Sequence, residues 1–433
     1  MANIVGKAGD RVLVKTKKAQ EEGILMPSSD DKVVIVKLEN GYNIGFDQKD
    51  VTEMKVVKKK SASDKIAGKK IKVDKNLPTI AVLHTGGTIA SKVDYKSGGV
   101  IAQFSASDLI AMVPELKTIA NVETELVSNM MSEDMFFENY QKLGTAIKKY
   151  AEKGVKGIII GHGTDTLAYT SAALTFMFEQ LNIPVMLVGS QRSSDRGSSD
   201  AAMNLVCAAE FIAQTDFVGV ATCMHHSSGD DTCAIINGTK VRKMHTSRRD
   251  AFKAINDTPV ALVDYSNRKV KFLKKNYAKK GSNDKVKLLD KFDNKVGLMK
   301  TYPNADPRLF EFFTKHYDAF VIEGTGLGHA PTNVGDNLKN YELLKKFING
   351  GGVVAITSQC IYGRVHPSVY TNLRRLADIG CIFCEDMLPE TAYIKLAWLM
   401  GNYPKEEARK MLAKNLRGEI NNRLTFEEDF VEG

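Results

Sequence analysis

From Thr79 onward the chain repeats one pattern. The apolar runs TIAVLHTGG, GIIIGHGTD, PVMLVGS, GVATCMH, AFVIEGTG and GVVAITSQ each end in a small-residue or polar loop. Helical stretches such as ENYQKLGTAIKKYAEK and NVGDNLKNYELLKKFING lie between several of them. A strand that is apolar along its whole length has no face for water, so both sides of its sheet need cover, and the amphipathic helices supply it. This predicts an α/β fold with mostly parallel sheets and helices on both faces. In such sheets a ligand sits beyond the carboxyl ends of the strands, where all the unusual loops fall. A chain of 433 residues has room for roughly two to four domains.

Ahead of Pro78 the character differs. VLVK and VVIVKL are β-rich, Asn40-Gly41 marks a turn between apolar runs, and Pro27–Asp30 marks another. These predict a small all-β barrel of SH3-like or Tudor-like type. Lys58–Asn76, KKKSASDKIAGKKIKVDKN, reads as a solvated linker or a weak contact for a phosphate backbone. Residues 1–72 are therefore expected to be barrel plus linker. A second basic stretch, Asn267–Asp290, is expected to form a hairpin and an interdomain linker, dividing an α/β domain at 78–275 from another at 290–433.

The net charge of +9 favours a polyanionic partner such as nucleic acid, yet suits a plain soluble enzyme too. No apolar run reaches the ~18–20 residues needed to cross a bilayer. MANIVGKAGDRVLV has no apolar signal core, so no secretion signal is expected. Of the six cysteines, only Cys381 and Cys384 form a CxxC, with no second pair to complete a zinc site. Buried thiols in a reducing cytoplasm, and no metal, are the expectation.

Two loops carry chemistry. HTGGTIAS follows the strand TIAVL directly, and its glycines let backbone amides approach a ligand. It is neither GxGxxG nor a Walker loop, since no Lys follows the glycines, so a phosphate cradle is disfavoured. GHGTDT places Asp165 between two threonines at the end of GIII, where the carboxylate either caps the following helix or orients a cation. A threonine hydroxyl attacks only if a base takes its proton. His84 and His162 are candidates, and so is a lysine of KVRKMHTSRRD, where Lys240 and Arg242 could depress the pKa of Lys243. Spacing leaves open whether Thr, Lys and Asp meet.

TGGTIAS together with HGTDT resembles the asparaginase/glutaminase family of two-domain α/β amidohydrolases, from about Thr79 to the C-terminus. GSQRSSDRGSSDAAMNL, GTKVRKMHTSRRDAF and EDMLPETAYIKLAW narrow the resemblance to the D-type branch of archaeal-type glutamyl-tRNA(Gln) amidotransferases, which is similar to an asparaginase with an extra N-terminal barrel. The resemblance implies Thr88 as nucleophile, Tyr95 of KVDYKSGG as its helper on a mobile loop, and Thr164, Asp165 and Lys243 as a relay. It implies Ser128 of ELVSNMMSEDM on the substrate α-carboxylate, with Gly87 and Gly163 in the loops whose amides hold the oxyanion. The implied reaction is hydrolysis of glutamine (or asparagine) to release ammonia. A partner of the E type would use it, with ATP and Mg, to convert Glu-tRNA(Gln) to Gln-tRNA(Gln). This chain would need no cofactor, would meet tRNA mainly through the partner, would form a homodimer core, and would work in the cytoplasm away from membranes. A free-standing asparaginase or glutaminase is the alternative, and a non-catalytic tRNA-docking scaffold a third. Arg248 and Arg249 remain unassigned, facing partner, tRNA or solvent.

Overall fold

The computed structural model describes residues 6–7, 9–26, 28, 32–38, 43–59, 73–86, 91–93, 100–102, 109–110, 112–192, 199–281 and 285–424. Five N-terminal strands form an antiparallel sheet in the order Asn43–Asp47, Val33–Lys37, Gln20–Met26, Arg11–Thr16, Val51–Lys58. Val12, Val14, Val34, Val36, Phe46, Val51 and Met54 form its small core. The expected SH3-like or Tudor-like barrel is not seen as a closed sheet. Among the described residues the two outer strands, Asn43–Asp47 and Val51–Lys58, do not pair with each other, so the sheet is open. Its short strands gather one apolar cluster without edge-to-edge hydrogen bonds, and register shifts beside Arg11 and Thr16 supply local bends.

The main sheet has eight strands, in the order Lys269–Phe272, Ala261–Asp264, Thr232–Asn237, Gly219–His225, Pro184–Val188, Gly157–Gly161, Thr79–His84, Asn121–Leu126. The last five run parallel. Alternation along them divides the core. Ile80, Val82, Ile159, Met186 and Val188 pack with helix Ala201–Gln214, while Ala81, Leu83, Ile158, Ile160, Val185 and Leu187 pack with helices Phe137–Lys153 and Leu167–Met177. Three antiparallel strands extend one edge. The connections 226–231 and 265–268 are turns, far too short for the crossover a parallel neighbour requires.

The second α/β domain is a four-stranded parallel sheet, Val296–Lys300, Ala319–Gly324, Val353–Ser358, Ile382–Phe383. Helices Arg308–His316, Leu338–Asn349 and Thr371–Asp378 contribute Phe310, Leu344 and Leu373 to the core on one side. On the other, Val296, Val321 and Ala355 join helix Pro389–Asn402 in the cluster that also holds Leu174 and Phe176 of the first domain. Phe176 and Trp398 stack across that seam at 5.8 Å between centroids. The two domains therefore share a core, which fixes where helix Pro389–Asn402 lies relative to the first domain. All six cysteines are free, and burial pushes the Cys381 and Cys384 thiols up to about 12. Among the described residues no helix is long and apolar enough to cross a membrane.

Candidate active site

Three loops meet beyond the carboxyl ends of neighbouring parallel strands. Thr85, directly after Thr79–His84, donates its backbone N–H and its hydroxyl to the Gly161 carbonyl at 3.1 and 3.2 Å. Gly86 follows with φ +100, and a Cβ there would lie 2.5 and 2.6 Å from the backbone O and N of Met130. Only glycine fits, because the segment after strand Asn121–Leu126 folds directly over this turn. That segment is tied down by Val127 N and Ser128 N, both donating to His84 O, and by Met130 N donating to Thr85 O. Ser128 is thus half-buried beside the first loop. Gly87, Thr88 and Tyr95 lie outside the described residues.

The third loop leaves strand Gly157–Gly161. A Cβ on Gly163 would lie 2.7 Å from Ser132 Cβ, and one on Gly189 would lie 2.7 Å from Thr164 Cγ2. Thr166 donates its hydroxyl to Ser132 O at 2.6 Å. These contacts wedge Thr164 and Asp165 between the segment 128–132 and the end of strand Pro184–Val188. Asp165 is not the helix cap: Thr166 holds that position, without a side-chain capping bond. Its carboxylate instead accepts from Lys243 Nζ at 2.7 Å, and the same ammonium donates to Thr164 Oγ1 at 2.9 Å. Lys243 has 15% of its side chain exposed, while Asp165 has 68%. An amine held between a hydroxyl and a carboxylate can carry a proton to and from that hydroxyl.

The other four cations of the stretch point elsewhere. Lys240, wholly buried, pairs with Asp386 at 2.7 Å, and Arg242 pairs with Glu390 at 3.1 Å. Burial pushes the Glu390 carboxyl up and Arg242 pulls it back. Lys240 and Arg242, expected as neighbours that could depress the Lys243 pKa, therefore direct their charge at carboxylates of the second domain. Arg248 makes two hydrogen bonds to Asp250, and Arg249 reaches Asp230 and the Ser228 carbonyl. The close approaches of Ser132, Met130 and Gly189 to these loops were not foreseen from sequence. The one local signal was the glycine directly after the strand in PVMLVGS, since a small residue there marks a close approach.

Neither histidine competes with Lys243 as a base at neutral pH. Burial lowers His84 and His162 to about 4, and the His162 ring is committed to Gly163 O at 2.7 Å and Thr170 Oγ1 at 2.8 Å. Both groups titrate below the ordinary imidazole value of 6.5 in the fold, so the unfolded chain takes up protons first on acidification. Their stabilising contribution is complete above pH 6.5 and is lost as pH falls towards 4. Melting temperature measured against pH is expected to fall through that window, and less steeply in His162→Gln than in the unsubstituted chain.

The fold and these loops define a class, the asparaginase-like two-domain α/β proteins. The family description "Asparaginase, N-terminal" matches residues 79–278, and "Glutaminase/Asparaginase C-terminal domain" matches residues 295–412. The thermostable L-asparaginase from Thermococcus kodakarensis superposes with a TM-score of 0.71 at 32% identity, covering 80% of this chain and 100% of that one. L-asparaginase I from Vibrio cholerae gives 0.68 at 26% identity, covering 80% and 99%. Residues 7–57 match "GatD N-terminal domain". Over nearly the whole length, D-type subunits of glutamyl-tRNA(Gln) amidotransferase are similar. That of Pyrococcus furiosus is 46% identical over 93% of this chain and 92% of its own. That of Methanococcus maripaludis is 41% identical over 97% and 99%. The chain belongs to this family of D-type amidotransferase subunits.

Proposed function

We propose that the chain is the glutaminase subunit of a tRNA-dependent amidotransferase, hydrolysing the side-chain amide of glutamine and passing ammonia to a partner. The observation that carries this is Lys243 Nζ lying within 2.9 Å of Thr164 Oγ1 and 2.7 Å of Asp165 Oδ1 at the strand ends. Thr88 is the nucleophile, assisted by Tyr95. Its hydroxyl adds to the amide carbon, and the oxyanion accepts from amides of the loops at Gly87 and Gly163. The C–N bond then breaks, the leaving nitrogen takes up the proton lost by the hydroxyl, and ammonia departs. Water hydrolyses the acyl-enzyme, with the Thr164–Lys243–Asp165 group carrying the protons. Ser128 holds the α-carboxylate of the substrate.

The partner, of the E type, binds ATP and Mg and converts Glu-tRNA(Gln) to Gln-tRNA(Gln). It makes most of the tRNA contact, while this chain forms the homodimer core and needs no cofactor of its own. The setting is the cytoplasm. Both the N-terminal match and the near full-length similarity to D-type amidotransferase subunits support this over a free-standing asparaginase or glutaminase. Ammonia release from glutamine by the chain alone, with the partner, and with Glu-tRNA(Gln) added, distinguishes the two. Release that rises on adding partner and tRNA is expected. Equally fast release by the chain alone supports the free-standing hydrolase, and no release under any condition removes both.

A further inference from the structure

Lys243 is carried by very little structure of its own. Its strand, Val241–Lys243, is three residues long and belongs to a two-stranded ribbon with Phe252–Ala254, outside the eight-stranded sheet. Such a ribbon is marginal without tertiary support. Val241 and Phe252 sink into the shared core, but apolar contacts are non-directional and do not set a side chain to a fraction of an ångström. The first domain adds a few hydrogen bonds, such as Lys253 Nζ to His226 O at 3.1 Å, and the side chains of the ribbon's first strand are tied to the second domain. Thr239 O accepts from the Thr391 hydroxyl at 3.1 Å, Lys240 Nζ reaches Asp386 at 2.7 Å, and Arg242 reaches Glu390 at 3.1 Å.

The returning strand is held by the same region. Ile255 N donates to Lys240 O at 2.8 Å. Asn256 follows in the left-handed region at φ 53, a conformation Asn tolerates better than most residues. Its side-chain amide donates to Gly363 O and Asp386 O, and its Oδ1 accepts from Gly363 N. Asp386 also accepts from the backbone N and the side-chain amide of Asn421, both at 3.0 Å, so the C-terminal segment closes on the same carboxylate.

We infer that Asp386, with Glu390 and Thr391, is a positioning element for catalysis: it clamps the ribbon from the second domain and so sets the reach of Lys243 to Thr164. Asp386 touches no reacting atom. It makes turnover depend on the seam between the domains and on the docking of Asn421. This rests on the role given above to Lys243, and the test keeps the two apart.

Glutamine hydrolysis is measured in the assembled complex with partner and tRNA, for Lys240→Met/Asp386→Leu, for Lys243→Ala, and for the three changes together. Replacing both members of a buried ion pair by apolar residues of similar size spares the fold where removing one does not. The double variant is expected to melt cooperatively, to lose on the order of 10²-fold in kcat as a misplaced group does, and to keep KM within about twofold. Added to Lys243→Ala it is expected to cost nothing further, because a clamp acting only through Lys243 has nothing left to position. Wild-type kcat in the folded double variant overturns the inference. So does an equal loss with and without Lys243, which marks a general structural role. If Lys243→Ala itself turns over normally, the role of the lysine falls first. Should the double variant fail to fold, Asn421→Ala removes one of the links to Asp386, together with the side-chain bond to the Asn256 carbonyl. It is expected to lower kcat roughly tenfold at unchanged KM, the scale of one charge-assisted hydrogen bond, and unchanged kcat overturns the inference equally.

Discussion

Lys243→Ala is expected to lower glutamine-dependent ammonia release about 10³-fold while leaving the chain folded and its complex assembled. The size follows from the lack of a substitute among the described residues. Lys240, Arg242 and Arg249 are committed to Asp386, Glu390 and Asp230 respectively. His84 and His162, lowered to about 4, are neutral at working pH, but the His162 ring is already bonded on both sides and His84 is buried at the end of its strand. The small effect on stability follows from exposure. Asp165 is 68% exposed, and an ion pair of that kind contributes only about 0–1 kcal/mol. Lys243→Arg sharpens the test. A guanidinium keeps the charge but does not give up its proton, so a proton carrier is lost and a mere counter-ion is not. Activity as low as in the alanine variant is expected. Restored turnover in Lys243→Arg would make the residue an electrostatic partner of Asp165, and turnover within about tenfold of wild type in Lys243→Ala would remove it from the relay.

The α/β layering was legible because two periodicities agree. IAVL, GIII and PVMLV carry no polar side chain, and their alternate residues enter two different core clusters, as a doubly covered sheet demands. The loops were legible for the same reason: a polar, glycine-bearing turn straight after such a strand has few structural uses. The antiparallel edge was less so, since a buried antiparallel strand such as GVATCMH reads like a parallel one, and only the short connections betray it. Openness of the N-terminal sheet could not be read from VLVK and VVIVKL, which state strand propensity but not which edges pair. The partners of KVRKMHTSRRD were hidden most deeply. Lys240 and Arg242 find their carboxylates 146 and 148 residues further on, and Lys243 finds Thr164 79 residues earlier. Composition shows five cations in one stretch. Which of them faces the strand ends is decided by a ribbon whose side chains are held from both domains.

The largest effect on stability is expected at Lys395, far from any reacting group. It lies wholly buried in helix Pro389–Asn402, and its ammonium donates to Glu419 Oε1 at 2.6 Å and to the carbonyls of Leu412 and Lys414. Burial pulls this group down from the ordinary lysine value, and Glu419 holds it up. Glu419 in turn accepts from Leu416 N and Arg417 N, so one buried pair organises the segment that leads to Asn421. Lys395→Ala leaves a carboxylate uncompensated in the interior and strips two carbonyls of their donor. A cost of about 3–5 kcal/mol is expected, read as a melting temperature lower by roughly 3–6 °C. Lys395→Met/Glu419→Leu removes both charges and is expected to recover only part of that loss. The two carbonyls and two amides still lose their partners, and each unsatisfied buried group costs about 1–3 kcal/mol. Full recovery would mean the segment is held by its apolar contacts, Leu412 and Ile420 among them, rather than by this pair. A single variant within about 1 kcal/mol of wild type would mean that the segment reorganises to let water reach Glu419, and that its grip on Asp386 through Asn421 does not depend on Lys395.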